Sequence, residues 1–400
     1  MTTSNLKSFG LYYISIFVLL FCGANVLHVL GWNIDYYAAP VYQKLRPEFY
    51  LLFICLLKNK VYKISNTEKK LLFFTIFVFI YWIISGQFSG FAVLINTICI
   101  PVIISYLASK LDTKQIKQIM FLILAFYIIN STLAISERFL NYNLFPYYTG
   151  GETLVVSHDD LLSFRSTALR NHPLGNALLI STISAFIIIS NKLSLFKRIS
   201  LFTLGYAAIM CFNARACMII VPILLFLYIA YNISIKNVLH ISKFKLIVSF
   251  TLFIIIGLYL FGQGWGGRLL EKGNLNDSSV EARLILYEKF FSMDFTLFLF
   301  GMSNETISSL IRMAHIESYW FLYLCRFGIF ILLYYLYLFY KLLKQWMKGF
   351  PLANRIFVVL VLLLLSSTNN SIYSGDPVIA VFILCCLTLW KKNTQPLFNN

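Results

Sequence analysis

The chain has 400 residues, of which 59% are hydrophobic and 12% are charged, and its formal net charge is +17. Soluble domains carry about twice that share of charged residues, so this composition excludes an ordinary water-soluble globule, whose surface it could not solvate. A bilayer removes this requirement because a surface that faces lipid is apolar. We therefore expect an all-α integral membrane protein, with residues 1–400 forming one polytopic transmembrane helical bundle.

Apolar runs separated by charged or turn-rich breaks predict about twelve spans. In chain order they cover residues 9–30, 47–57, 71–88, 91–108, 118–137, 174–190, 199–213, 216–232, 246–262, 316–340, 356–370 and 377–390. The second run is too short to cross a bilayer unless residues before Pro47 contribute. The first run ends without a small-residue cleavage site, so we expect it to remain a span.

Lysine and arginine concentrate in alternate loops. About two thirds of the 33 basic residues lie in these loops, and Glu68 and Asp112 are the acidic residues that share them. The positive-inside rule predicts that this side, with both chain ends, faces the cytoplasm. The same pattern attributes the net charge to topology and to attraction by anionic lipid, and not to nucleic-acid binding.

Two loops on the opposite side are long and cover residues 138–173 and 263–315. We expect the second to be partly helical, because residues 278–281 resemble a capping box and Asn304 is a candidate N-cap. All eight cysteines lie in or beside apolar runs, which favours buried thiols and argues against a disulfide framework.

Several arginines fall where charge is costly, close to the outer ends of the predicted spans. Arg215 lies in a break too short to leave the membrane surface, so it either snorkels to the headgroups or lines a tight cavity turn. Arg165 and Arg170 lie in a polar run that leads into the sixth span, with Pro173 as a helix start signal. This run is either part of a site or an ordinary loop. Arg326, inside the tenth span, is expected to pair with a carboxylate or to line a cavity.

Glu317 and His315 open the tenth span. The carboxylate is either a solvated helix start or a general base. Guanidinium forks suit phosphate oxygens, and a nearby carboxylate suits the removal of a proton from a hydroxyl. A pyrophosphate-linked lipid substrate would use both. No established metal motif occurs, and His158-Asp159-Asp160 is a lone triplet, so we expect no metal.

Residues 160–340 resemble the O-antigen polymerase and ligase superfamily of bacterial polysaccharide assembly. Arg165, followed by His172-Pro173-Leu174, is similar to the family's arginine before a His/Asn-Pro step, where the family often has Gly at the position of Ala168. The stretch Asn213-Ala214-Arg215-Ala216 resembles the family's Ser-Arg-small turn between two spans, with Ala214 replacing Ser.

The third part of the resemblance is the large outer loop. It begins with Ala282-Arg283, passes Leu299-Phe300-Gly301 and returns through Glu317-Ser318 to Arg326-Phe327-Gly328. The ligase branch typically has His-Asn or His-Ser, then nine residues, then Gly. Glu317-Ser318 stands in that place here, and His315 is two positions early. An acidic residue at this position is more like the polymerase branch, the Wzy type.

The resemblance implies a GT-C-like glycosyltransferase of the bacterial inner membrane that polymerises undecaprenyl-pyrophosphate-linked oligosaccharide units at the periplasmic face. Arg215, Arg283 and Arg165 would hold the pyrophosphate, and Glu317 would activate the acceptor hydroxyl. The other implied substrate-binding residues are Arg170, His172, His315, Ser318 and Arg326. Arginines would act in place of a metal, so no cofactor is expected. A chain-length regulator and a flippase of the same pathway are further implied partners.

Two alternatives remain open. An O-antigen ligase would transfer the finished polysaccharide to a lipid A-core or other acceptor. A lipid-linked oligosaccharide flippase or other transporter would favour charges deep in many spans and a pseudo-repeated bundle, whereas this chain concentrates charge at the outer rim.

Overall fold

The computed structural model describes residues 6, 8–32, 40–59, 64–84, 94–149, 152–154, 164–234, 243–267, 288, 291–292, 295–303, 306–307, 318–369, 371–372 and 375–390. These residues form a helical bundle with one small β-hairpin. Its strands, β1 (Tyr147–Thr149) and β2 (Glu152–Leu154), pair antiparallel, with Tyr148 opposite Thr153. Every one of the twelve predicted apolar runs contains a helix.

The first seven helices are α1 (Phe9–Phe21), α2 (Ala24–Val29), α3 (Pro47–Lys58), α4 (Asn66–Ile84), α5 (Ile100–Ala108), α6 (Thr113–Leu140) and α7 (Pro173–Ile189). They are followed by α8 (Leu195–Cys211), α9 (Arg215–Ser234), α10 (Lys243–Gly262), α11 (Phe295–Phe300), α12 (Tyr319–Trp346), α13 (Leu352–Ser367) and α14 (Val378–Cys385). Single π-helical turns precede α5 at Ile95–Cys99 and follow α14 at Cys386–Trp390.

Three helices in the described part of the chain are long and apolar enough to cross a membrane: Thr113–Leu140, Arg215–Asn232 and Tyr319–Trp346. Five further apolar helices are shorter: Phe9–Phe21, Ile95–Ala108, Pro173–Ile189, Leu352–Ser367 and Val378–Trp390. The helical bundle is confirmed, but the structure does not give the count of twelve spans. Helix α3, for example, has only 12 residues, or about 18 Å at the rise of an α-helix, whereas the hydrocarbon core is about 30 Å thick.

The surface of the bundle fits a lipid environment. Large apolar side chains are exposed on many helices, among them Phe73, Phe77, Phe121, Leu258 and Phe330. A water-soluble monomer rarely exposes apolar side chains on this scale. All eight cysteines are free, and none of them is exposed, as the sequence predicts.

Connections that alternate along the chain meet at the same end of the bundle. At one end, Lys110 donates to the carbonyl of Asn59 and Ser190 donates to that of Leu389. We call this the lysine end; it carries residues 59, 109–112, 190–194 and 347–351. The opposite end carries residues 22–32, 40–46, 141–149, 152–154, 164–172, 212–214 and 375–377, and we call it the arginine end.

The first predicted span, residues 9–30, is not one continuous helix. It breaks at Cys22-Gly23, between α1 and α2. The Gly23 N–H donates to the carbonyl of Leu169, and a Cβ on Gly23 would lie only 2.1 Å from that oxygen. The continuous span was therefore wrong, because residues 164–172 enter the bundle at this break.

The tenth predicted span also departs from a regular helix. Helix α12 contains Gly328 with φ 75° and ψ 172°, which breaks the helix within its third turn. Helix α11 lies against this break. Helix α11 lies within residues 263–315, at neither of the two predicted helix starts. The capping box at residues 278–281 and the N-cap at Asn304 lie outside the described residues, so the predicted helices of this loop stay predictions.

Candidate functional site

The site is built on residues 164–172, which we call the arginine segment because it carries Arg165 and Arg170. The segment runs inside the arginine end and is almost entirely buried. Asn25 of α2 donates to the carbonyl of Ala168 at 2.9 Å. Asn130 of α6 accepts from the Leu169 N–H at 3.1 Å, and Asn176 of α7 donates to the carbonyl of Thr167 at 2.6 Å. Three helices thus hold its backbone, as buried polar groups require.

Glu137, close to the end of α6, fixes the centre of the segment. Its Oε2 accepts hydrogen bonds from the backbone N–H groups of Thr167 and Ala168, each at 3.0 Å, and from the Ser166 hydroxyl. Its Oε1 accepts from the Leu144 N–H at 2.9 Å. A carboxylate with four donors has the stabilisation that a buried charge needs.

The backbone of the segment is strained. Ala168 has φ 39° and Asn171 has φ 69°. Asn171, with ψ −63°, is the centre of a γ-turn that the His172 N–H closes by donating to the carbonyl of Arg170 at 2.8 Å. Ala168 pays a steric cost at positive φ that Gly does not. Such conformations persist where surrounding contacts enforce them, and they cluster at functional sites.

The arginine segment meets the turn before Arg215. Ser166 N–H donates to the carbonyl of Cys211 at 3.0 Å, and the Asn213 side chain donates to the carbonyl of Phe164 at 3.3 Å. Arg165 Nε reaches the carbonyl of Phe212 at 3.4 Å. The first two predicted motifs, separated by about 50 residues in the sequence, therefore come together at one end of the bundle, with Arg215 as the first residue of α9.

Two buried ion pairs lie beneath the segment, next to the end of α1. Arg170 pairs with Asp376 at 3.1 Å, and Arg46 pairs with Glu48. Both arginines also donate to the carbonyl of Cys22, Arg170 at 3.5 Å and Arg46 at 2.7 Å. The C-terminal end of a helix favours cations, so the end of α1 helps to hold both guanidinium groups. With two carboxylates opposite two arginines, the network is formally neutral.

His172 is the N-cap of α7, and its Nδ1 accepts the N–H of Leu174 at 3.2 Å. Burial, with the positive charge of Arg165 as a second cause, lowers the pKa of His172 to about 4. The imidazole is therefore neutral at neutral pH. This geometry favours an orienting role over that of a general acid.

The parts of the third motif that the structure describes also meet. Met302 N–H donates to the carbonyl of Cys325 at 2.7 Å. A Cβ on Gly301 would lie 2.4 Å from the carbonyl oxygen of Arg326, and a Cβ on Gly328 would lie 2.1 Å from that of Leu299. Both glycines have positive φ, 88° and 75°. The Leu-Phe-Gly and Arg-Phe-Gly stretches therefore pack backbone against backbone, which only glycine permits.

Glu317, Arg283 and His315 lie outside the described residues, so the predicted catalytic set is only partly placed. Ser318 is the N-cap of α12 and accepts the N–H of Phe321 at 3.3 Å. Arg326 lies beside the break in α12. Their substrate-binding roles stay predictions, as does that of Arg170, whose guanidinium is engaged by Asp376 and the end of α1.

Sequence reasoning missed the acids of the site. Glu137 is the last residue of the predicted span 118–137, Glu48 is the second residue of the run 47–57, and Asp376 directly precedes the run 377–390; none of the three was singled out. The signal was present, because a carboxylate beside an apolar run needs a partner. Among the residues that the structure describes, no three His, Cys, Asp or Glu side chains lie close enough together to hold a metal ion.

No protein-family model, no curated protein sequence and no solved structure matches the chain. The class that the geometry itself defines is a helical protein with helices long and apolar enough to span a membrane and with a buried, arginine-rich polar site at one end of its bundle.

Proposed function

We propose that the chain is a Wzy-type polymerase, which joins undecaprenyl-pyrophosphate-linked oligosaccharide repeat units and releases undecaprenyl pyrophosphate. The observation that carries the proposal is the direct contact between the arginine segment and the turn before Arg215. Each of these two stretches resembles the polymerase family by itself. They pack together at the arginine end of the bundle.

A second observation supports the resemblance. The family often has Gly where this chain has Ala168, and Ala168 has φ 39°, in the region that favours glycine. Likewise, Gly301 and Gly328 of the third motif occupy positions where any side chain would collide with backbone. The backbone requirements of the chain thus agree with the residue types of the family.

The proposed topology has about twelve crossings in a GT-C-like arrangement, with both chain ends and the lysine end in the cytoplasm of a Gram-negative bacterium. The arginine end then faces the periplasm, where the lipid-linked units are polymerised. This sidedness follows from the positive-inside rule.

In the proposed mechanism, Arg165 and Arg215 bind the pyrophosphate together with Arg283 and stabilise its developing charge. Glu317 removes the proton from the acceptor hydroxyl, whose oxygen attacks the anomeric carbon as the bond to the pyrophosphate breaks. Arg170 and His172 orient the arginine segment. Pyrophosphate is a good leaving group, so the reaction needs little acid catalysis.

The test is the surface polysaccharide of a producing strain that carries this chain as its polymerase. Arg165→Gln and Arg215→Gln are expected to reduce the gel ladder to single-unit products, and Arg215→Lys to restore it in part, because lysine keeps the charge but not the planar fork. Lys117→Gln, at the exposed start of α6, is the control and should keep the full ladder.

Protein level is measured in every strain. A normal ladder in both arginine variants at the wild-type protein level would remove the mechanism. Long chains that remain on the lipid carrier would identify a ligase instead, and single units trapped at the cytoplasmic face would identify a flippase.

A further inference from the structure

A cavity of about 680 Å³ opens at the lysine end, between the last turns of α12 and the start of α13. Among the residues that the structure describes, no acidic side chain lines it and four cationic ones do: Lys341, Lys344, Lys348 and Arg355. The cavity lies at the opposite end of the bundle from the arginine segment, so it is a separate site.

Lys341 and Lys344 are three residues apart and share a face of α12, and Lys348 follows in the turn directly after the helix. Lys341 Nζ lies 5.2 Å from the centroid of the Tyr337 ring, and Lys344 Nζ lies 5.7 Å from that of Tyr340. The rings lie one turn before their lysines along α12. An amphipathic side chain held in this way keeps its apolar stem on the protein and its charge at the boundary between lipid and water.

Within the described part of the chain, none of these four cations has a carboxylate partner. The acids at this end are occupied elsewhere. Glu68 accepts from Ser65 and from Ser105, and Asp112 accepts from the Gln115 N–H as the N-cap of α6. The positive charge of the cavity is therefore not neutralised by the residues that the structure describes.

Two of the residues that line the cavity also carry buried donor atoms. Gln345 Nε2 and Arg355 Nε are buried, and neither has a hydrogen-bond partner among the described residues. Helix α13 begins beside them at Leu352, and its N-cap, Pro351, makes no side-chain cap bond. These two atoms are not open to the cavity, whereas the amide groups of a first helical turn favour an anion nearby.

Apolar surface adjoins the charge. Tyr337, Leu352 and Ile356 are exposed near the cavity, at 49%, 61% and 49%. The acyl chains of a lipid can cover this apolar surface, whereas a free ion cannot. We propose that the cavity binds the phosphate headgroup of an anionic phospholipid from the leaflet at the lysine end, with the acyl chains along the exposed faces of α12 and α13. This site stands whether or not the proposed polymerase activity does.

The test is native mass spectrometry of the purified full-length protein in a neutral detergent, with phosphatidylglycerol and phosphatidylcholine at equal concentrations. Phosphatidylglycerol adducts should dominate in the wild type. In Lys344→Gln/Lys348→Gln their affinity should fall about fivefold for each lysine removed. The control Lys69→Gln/Lys70→Gln removes the same charge from exposed residues at the same end, and its affinity should not change.

Equal binding of the two lipids would overturn the proposal, and so would an equal loss of binding in the control. Inorganic phosphate is added in a separate experiment at millimolar concentration. Displacement of phosphatidylglycerol by this ion would also overturn the proposal, because the ligand would then be a soluble phosphate. Lys348→Gln alone serves as a milder variant if the double one does not fold, with the same expected loss per charge.

Discussion

Asp376 Oδ1 lies 3.1 Å from Arg170 Nη2, although 206 positions separate the two residues in the sequence. Gly175, in the first turn of α7, makes this approach possible, because a Cβ there would lie 1.9 Å from Asp376 Oδ2. The N-terminal end of α7 also favours the carboxylate. The pair ties the loop before α14 to the arginine segment.

Asp376→Asn should destabilise the protein strongly. The substitution leaves Arg170 buried without its counter-charge and next to Arg46, and breaking one side of a buried pair typically costs about 3–5 kcal/mol. The free energy of unfolding is measured in mixed micelles with an increasing fraction of SDS. The double variant Arg170→Leu/Asp376→Leu should lose less than Asp376→Asn, and a single variant as stable as the wild type would contradict the pairing.

Ala168→Gly should be tolerated, in contrast to the same substitution in a helix. Relief of the positive φ at Ala168 offsets the lost methyl group, so we expect a change within about 0.5 kcal/mol. The matched control is Ala177→Gly, buried in α7, which should lose roughly 1–2 kcal/mol. Equal losses for the two variants would show that the backbone at Ala168 is not strained.

Gly328→Ala and Gly301→Ala should each destabilise the protein by about 2–4 kcal/mol, because each adds a methyl group against backbone and forces Ala into the left-handed region. The measurement is thermal stability in detergent, with the folded fraction that remains after heating determined by size-exclusion chromatography. Gly10→Ala in α1 is the control, since its Cβ would meet nothing within 4 Å; it should be neutral or slightly stabilising. A control as unstable as the variants would refute the close contact.

The pH dependence of stability should include a contribution from His172. The pKa of its imidazole is lowered from 6.5 to about 4 in the folded protein. Below pH 6.5 the unfolded chain therefore binds a proton that the folded chain does not, and stability is lost as the pH falls from 6.5 towards 4. His172→Asn keeps an acceptor for the Leu174 N–H and removes the titration.

Unfolding in SDS at several pH values between 7 and 4.5 compares the two proteins. The variant should lose less stability over this range than the wild type does. The same loss in both would mean that His172 does not titrate abnormally.

Glu137→Gln should shorten the polysaccharide chains, because the substitution weakens the anchor of the arginine segment. In either orientation the amide NH2 group faces a donor, the Leu144 N–H or the three donors of residues 166–168, and the remaining bonds lose their charge, so the arginine segment is held less firmly. We expect shorter polysaccharide chains at normal protein level. Glu152→Gln, in the hairpin at the same end, is the control and should leave the ladder unchanged; a full-length ladder in Glu137→Gln would show that the segment needs no such anchor.

The apolar pattern of the sequence predicted the helices well, because the hydrophobicity and charge of a short stretch depend only on the residues within it. Helix α6, for example, was predicted as residues 118–137 and covers Thr113–Leu140. The breaks at Gly23 and Gly328 could not be predicted in this way. Each depends on a segment far along the chain that packs against the glycine, and no local pattern contains that partner.

The candidate site was predicted in part for the same reason. Arg165 and Arg215 stood out because their short polar runs interrupt apolar ones. Glu137 and Asp376 did not, since each looked like the end of a helix or part of a turn. Only the fold shows that Glu137 accepts the Ala168 N–H and that Asp376 pairs with Arg170.

The distance of 206 positions between Arg170 and Asp376 along the chain constrains biogenesis. During translation, Arg170 emerges and must be accommodated long before its partner is synthesised. Until α13 and α14 have entered the membrane, the guanidinium lacks the Asp376 carboxylate that it pairs with in the finished bundle. Chains truncated before residue 376 should therefore be degraded by quality-control proteases. Their degradation should be faster than the loss of the missing helices alone would cause.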